Sequence, residues 1–134
     1  VNQLKINNRF NQLNNYSNGI IVNDNINKND NIEDVLLMLN GQDRFVKRNG
    51  RYFRLLVPYQ RHTRTPDKYI YAYSFSLNPE QIQPSGSCNF SRLDNSELLI
   101  NMKTDTLDSQ LRVYAVNYNI LKIINGMGGL AYSN

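Results

Sequence analysis

The chain has 134 residues, which suits one domain, and carries 22 Asn, one Cys, one His and no Trp, with a net charge of +4. No apolar run approaches the ~20 residues that cross a bilayer as a helix, and a lone cysteine, Cys88, rules out an internal disulfide framework or a Cys-cluster zinc site. Hydrophobic residues at 40% are enough to build a core.

In chain order, the first feature is the asparagine itself: twelve of the 22 lie within residues 1–31. Such a stretch is polar and of low complexity. Asn, Ile, Lys, Tyr and Phe together make 53 residues, all encoded by AT-rich codons, so codon bias is the cause and the polar segment its local consequence. The chain starts with Val rather than Met and shows no basic region followed by an apolar one. It is therefore expected to be a processed product or a piece of a longer polypeptide.

The elements lean towards β. Ala and Glu occur three times each, whereas Tyr, Ile, Phe and Val are frequent. Gly19–Val22 and Val35–Leu39 read as short strands, the second ending at Asn40-Gly41. Asn-Gly recurs at 18–19, 49–50 and 125–126, and it is the strongest short hairpin signal. Arg44, Lys47, Arg48 and Arg51 recur at helical spacing, which with Tyr52–Leu56 predicts one or two short helices near 44–57, stopping before Pro58. Tyr69–Leu77 is the clearest strand pattern, with Tyr69, Tyr71, Tyr73, Phe75 and Leu77 on one face. Residues 78–96, with Pro79, Pro84 and Gly86, read as a long structured loop. Glu97–Lys103 is a further strand, and Leu111–Ile124 a long one with a bend or bulge near Asn117–Asn119.

Charge is uneven: residues 44–68 sum to +7, which leaves −3 for the remainder. Mixed with Phe45, Tyr52, Phe53 and Tyr59, this stripe has the look of a nucleic-acid surface, but a solvated face or subunit contact is the favoured reading. Convergent catalytic groups are scarce. His62 sits between Arg61 and Arg64, and Cys88 lies in Gly86-Ser87-Cys88-Asn89-Phe90, where Phe90 replaces the second glycine of a nucleophile elbow. Gly126–Ala131 matches the spacing of a dinucleotide fingerprint, but only three residues follow it, too few for the helix that would hold a pyrophosphate. Asp105 and Asp108 lack a third ligand, and the sequons at Asn15 and Asn89 have no secretion signal to support them.

More specific are the runs Leu39-Asn40-Gly41-Gln42-Asp43-Arg44-Phe45, Tyr71–Glu80, and Gln83-Pro84-Ser85-Gly86-Ser87-Cys88-Asn89-Phe90-Ser91-Arg92-Leu93-Asp94-Asn95. Tyr114–Leu121 and the closing Gly126–Asn134 complete the set. Over residues 35–134 the chain resembles the C-terminal part of the major capsid protein of nucleocytoplasmic large DNA viruses, in the phycodnavirus and mimivirus-like branch. Residues 1–34 read as a divergent Asn-rich segment outside that match.

The resemblance implies an all-β, antiparallel jelly-roll sandwich, here the later strands of the second jelly roll of a double jelly-roll protein. It implies a structural subunit, not an enzyme, that needs no catalytic residue, metal or cofactor. Its partners would be itself, as a homotrimer forming pseudo-hexagonal capsomers, then neighbouring capsomers and minor capsid or penton proteins. Neither specific nucleic acid nor a membrane span is expected. Its place would be the virion capsid, assembled in the host cytoplasm. Pro84, Ser85, Gly86, Asn89, Phe90, Arg92 and Asp94 are the candidate loop and inter-subunit contacts. Two other readings stay open: a jelly-roll carbohydrate-binding module with exposed tyrosines, and a nucleic-acid module using residues 44–68.

Overall fold

A computed structural model describes residue 16 and residues 20–22, 25–27, 30–103 and 111–132. The central element is β3 (Ile32–Leu39), with β4 (Gln42–Asp43) and β5 (Arg48–Asn49) antiparallel on one edge and β6 (Ser96–Met102) antiparallel on the other. Two separate hairpins flank this sheet: β1 (Ile20–Val22) with β2 (Asn25–Asn27), and β7 (Leu121–Ile124) with β8 (Met127–Leu130).

Strict alternation would put Ile32 and Val35, three residues apart, on opposite faces of β3. Both are buried on the same core. The reason is a bulge: Ile32 pairs with Met102 but Asp34 with Asn101, so Glu33 is the extra residue. That insertion resets the alternation. The core is small, formed by Ile32, Val35, Phe53 and Val57, with Phe45, Tyr52, Tyr71 and Ile100 packed around it.

Phe53 and Val57 come from a helical segment, a π-helical turn over Tyr52–Leu56 followed by α1 (Val57–Arg61). The expected helix thus shifts. Residues 44–47 are a bend and irregular chain leading into β5, and the helix runs through Pro58 to Arg61. Proline survives there because of the wider turn. The Val57 N–H donates to the Tyr52 carbonyl, five residues back. The next carbonyl, that of Phe53, loses its donor because Pro58 has no N–H. It accepts instead from the Ala72 N–H at 3.0 Å.

That bond recruits residues 69–77, which are not the strand that their alternation predicts. Ser76 N–H is taken by the Ser74 hydroxyl (3.1 Å) and Leu77 N–H by the Ser85 carbonyl (3.3 Å). Local hydroxyl acceptors outcompete a ladder there. The aromatic face persists as a chain of ring contacts from Phe53 through Phe45, Tyr73 and Phe75 to Phe90, with centroids 5.0–5.5 Å apart. The long strand expected at Leu111–Ile124 is likewise regular only from Leu121. Asn117 and Asn119 supply side-chain acceptors to the N–H of the next residue, and Asn119 also pairs with the Tyr132 backbone.

The strands Glu97–Lys103, Val35–Leu39 and Gly19–Val22 correspond to β6, β3 and β1 within a few residues. Of the Asn-Gly pairs, 40–41 and 125–126 form hairpin turns with positive φ at both positions (51° and 75°, 51° and 79°). Asn49-Gly50 makes no hairpin; it opens the helix, the Asn49 Oδ1 accepting from the Arg51 N–H. Gly50 is there for space, since a Cβ would sit 2.5 Å from the Ile32 carbonyl oxygen. Gly50→Ala is expected to destabilise the chain by ~1–3 kcal/mol, the usual cost of overpacking. The urea midpoint should fall with little change in slope.

Candidate assembly surface

The best-buried polar group lies where β3 begins. Asp30 is 3% exposed. Its carboxylate accepts from Arg54 at 2.6 and 3.2 Å, from Arg51 Nε at 3.2 Å and from the Tyr71 hydroxyl at 3.3 Å. The Tyr71 oxygen in turn accepts from the Asn31 N–H, and the Arg54 guanidinium lies 4.2 Å over the Tyr69 ring. One carboxylate therefore joins the start of β3, the helix and the 69–77 segment. Burial pushes Asp30 up, but Arg54, Arg51 and Tyr71 together outweigh it and hold the carboxyl below its ordinary 3.8. Burial, and then the Asp30 charge, push the Tyr71 phenol up to about 12.

The 78–95 loop is built by short-range hydrogen bonds. Ser85 Oγ meets the Ser76 hydroxyl at 2.9 Å and accepts from the Asn78 N–H at 2.8 Å, which closes residues 78–85 on themselves. Gly86 follows at φ 134°, where a Cβ would lie 3.1 Å from the Phe75 carbonyl oxygen. Asn89 Oδ1 caps the 3-10 turn Phe90–Arg92 through the Ser91 N–H and hydroxyl. Phe90 packs edge-on against Phe75 and stays 47% exposed. At the far end, Asn40 Oδ1 accepts from the Asp94 and Asn95 N–H groups, and the Asn40 N–H donates to the Asn95 carbonyl at 2.8 Å. Glu80 accepts from the Thr63 N–H and meets His62 Nδ1, both at 3.1 Å, which ties the loop to the end of α1. Hydrogen bonding from Thr63 leads in holding the Glu80 carboxyl below its ordinary value.

Of the sequence-predicted contact residues, Ser85, Gly86 and Asn89 shape the loop, while Pro84, Phe90, Arg92 and Asp94 are exposed on it. Gly86 and Asn89 are exposed as well, and Ser85 is half-buried. Asp30 and Asn40 hold the framework and are not distinguishable in sequence: one is one of two acids, with Asp24, in an Asn-rich run, the other one asparagine of many.

Five of the eight bases in the basic stripe have partners within the fold among the described residues, though most of the stripe lies on its surface. Arg51 and Arg54 bind Asp30, Lys47 pairs with Asp34 at 3.1 Å, Arg48 lies over Tyr52, and Arg61 reaches the Leu77 carbonyl. The tyrosine faces are also taken: Tyr69 by Arg54, and Tyr73 by Phe45 and Phe75. Asp105 and Asp108 lie outside the described residues. Among the described residues no three His, Cys, Asp or Glu side chains gather as a metal site, and no helix is long and apolar enough to cross a membrane.

The remaining surface is unusually apolar. Leu36 pairs with Leu99 and Leu37 with Leu98, so neighbouring pairs put leucine on both faces of the sheet. Leu98 and Leu99 are half exposed, Val116 is fully so, and Tyr114 is 82% exposed. A sheet apolar on both sides is a middle layer.

An antiparallel sheet with two apolar faces and long pinned loops defines a structural β-protein built to be covered. The family model for the large eukaryotic DNA virus major capsid protein matches residues 2–129, and the chain belongs to that family. It is 59% identical over 102 residues to the major capsid protein of Phaeocystis pouchetii virus, covering 73% of this chain and 20% of that protein. To the major capsid protein of Paramecium bursaria Chlorella virus 1 it is 41% identical over 125 residues, covering 77% and 29%. A chain of the PBCV-1 virus capsid superposes with a TM-score of 0.65 at 38% identity, over 77% of this chain and 30% of that one. The chain thus spans a fifth to under a third of the length of these relatives.

Asp30→Asn is expected to cost about 3–5 kcal/mol, because it leaves the Arg54 charge without its buried partner. Arg51→Ala, whose side chain is 70% exposed, should cost no more than ~1 kcal/mol. Because the folded Asp30 value is depressed, its stabilisation is full above the ordinary 3.8 and is lost as pH falls through the folded value. The raised Tyr71 acts at the other end, its contribution fading as pH rises from 10 to about 12. Thermal unfolding across pH checks both limbs: Asp30→Asn should lose most of the acid dependence, and Tyr71→Phe most of the alkaline one.

Proposed function

We propose that this chain is the C-terminal part of a capsid subunit of a large DNA virus, residues 35–134 forming later strands of the second jelly roll of a double jelly-roll protein. The observation that carries this reading is the segment 111–120. It forms neither helix nor strand, has no ladder partner among the described residues, and exposes Leu111, Val113, Tyr114, Val116 and Ile120 by half or more. An unpaired edge with apolar side chains demands strands from elsewhere. The two leucine-bearing faces of the β3–β6 sheet make the same demand.

In a jelly roll, early and late strands interleave in both sheets, so a C-terminal piece lacks partners at these edges. The completed subunit trimerises into a pseudo-hexagonal capsomer that tiles the virion shell. Pro84, Phe90, Arg92 and Asp94 meet neighbouring copies there. Exposed ion pairs of the Arg92 and Asp94 kind contribute only ~0–1 kcal/mol each, so they set register while repetition across the shell supplies strength. The role is structural and uses no cofactor.

The test is a polypeptide in which this segment replaces the matching part of the Phaeocystis pouchetii virus protein. Mass measurement in solution should give a trimer. A species that stays monomeric at high concentration, although folded by circular dichroism, contradicts the reading.

A further inference from the structure

Three of the four Asn-Gly pairs lie in described residues, and the fold treats them differently; Asn18-Gly19 lies outside those residues. In an Asn-Gly pair the glycine nitrogen can attack the asparagine amide carbon, because no side chain shields that nitrogen. The attack needs the turn to open and the amide to swing round.

Asn49 is restrained on both sides. Its Oδ1 accepts from the Arg51 N–H at 3.0 Å, and Gly50 is buried with no room beside the Ile32 carbonyl. Asn40-Gly41 and Asn125-Gly126 are a controlled comparison, since their φ angles are 51° and 75° against 51° and 79°. Backbone conformation does not separate them; anchoring does. Asn40 Oδ1 takes two backbone N–H groups, from Asp94 at 3.0 Å and Asn95 at 3.3 Å, and its own N–H binds Asn95. Asn125 is exposed, its side chain has no hydrogen bond among the described residues, and the space around Gly126 is open.

We propose that Asn125 is a site of spontaneous deamidation, while Asn40 and Asn49 are protected by the fold. The Gly126 nitrogen forms a bond to Asn125 Cγ and loses its proton, and the side-chain amide leaves as ammonia. Water then opens the resulting succinimide at either carbonyl to give aspartate or isoaspartate. The product places a carboxylate at the tip of a hairpin flanked by Ile124 and Met127, which are 63% and 75% exposed. A charge there disfavours burial of that tip against an apolar partner. An aged, unassembled chain is thereby marked chemically.

Peptide mass spectrometry of the intact chain, held in mildly alkaline buffer with and without concentrated urea, tests this. Each hydrogen bond that must open is worth up to about tenfold in the open population. In buffer Asn125 should therefore convert at least ~tenfold faster than Asn40 or Asn49. In urea the three should convert at similar rates. Equal rates in buffer, or Asn40 or Asn49 converting fastest, overturn the proposal; so does an unchanged rank order and spacing of rates in urea.

Discussion

The described fold depends on one buried carboxylate. Asp30 collects Arg54, Arg51 and Tyr71, which stand 21 to 41 residues away in sequence. The apolar core has only four buried members, Ile32, Val35, Phe53 and Val57, among the described residues. So few contacts fix the approach of helix to sheet weakly. A charge-assisted fork adds direction, because Arg54 meets the carboxylate through two nitrogens at once. Its second service is to the 69–77 segment. Tyr71 and Tyr69 dock on the same acid–base pair, and the Phe53 carbonyl left free by Pro58 fixes the backbone just after them, at Ala72.

From that hub the loops follow. With 69–77 fixed, its aromatic side carries the ring chain outward to Phe90, and its serines close the 78–85 loop. Asn40 then ties the far end of that loop to the β3–β4 turn. The 78–95 region is thereby held at both ends and in the middle, which fixes a long loop with Phe90, Arg92 and Asp94 exposed on it. The region 111–132 has little of this support. Its hairpin is extended by Asn119 and Ile120 bonding to Tyr132 and Ala131, the Tyr118 hydroxyl reaches the Gln81 carbonyl at 3.5 Å, and most of its side chains are exposed. The contrast separates a tightly supported part of the fold from one whose apolar side chains are largely exposed.

Much of the sheet was legible in sequence, because apolar runs bounded by Asn-Gly turns have few other solutions. The runs at Val35–Leu39 and Glu97–Lys103 do pair, and the motif-bearing segments pointed to the correct family. Two strands were over-read for one physical reason: alternation reports which way side chains point, not whether the backbone has a partner. In 69–77 serine hydroxyls and a proline-orphaned carbonyl replaced the ladder, and in 111–120 a partner strand is lacking among the described residues. The helix shifted because a π-turn makes room for proline, which helical spacing of basic residues does not reveal. Of the contact residues read from sequence, Ser85, Gly86 and Asn89 also shape the loop itself, a role that small loop residues do not reveal in sequence. Asp30 carried no local signal, as its meaning lies in bases that only folding brings to it.

The central claim is that this sheet is incomplete alone and is finished by strands of a longer capsid subunit. Amide hydrogen exchange, compared between the chain alone and a longer polypeptide containing it, tests that claim most directly. In the chain alone, β3 and β6 should be protected while residues 111–120 exchange as fast as an unfolded peptide. In the longer polypeptide, residues 111–120 should become protected too. Protection of 111–120 in the isolated chain, or rapid exchange there in both, would contradict the account.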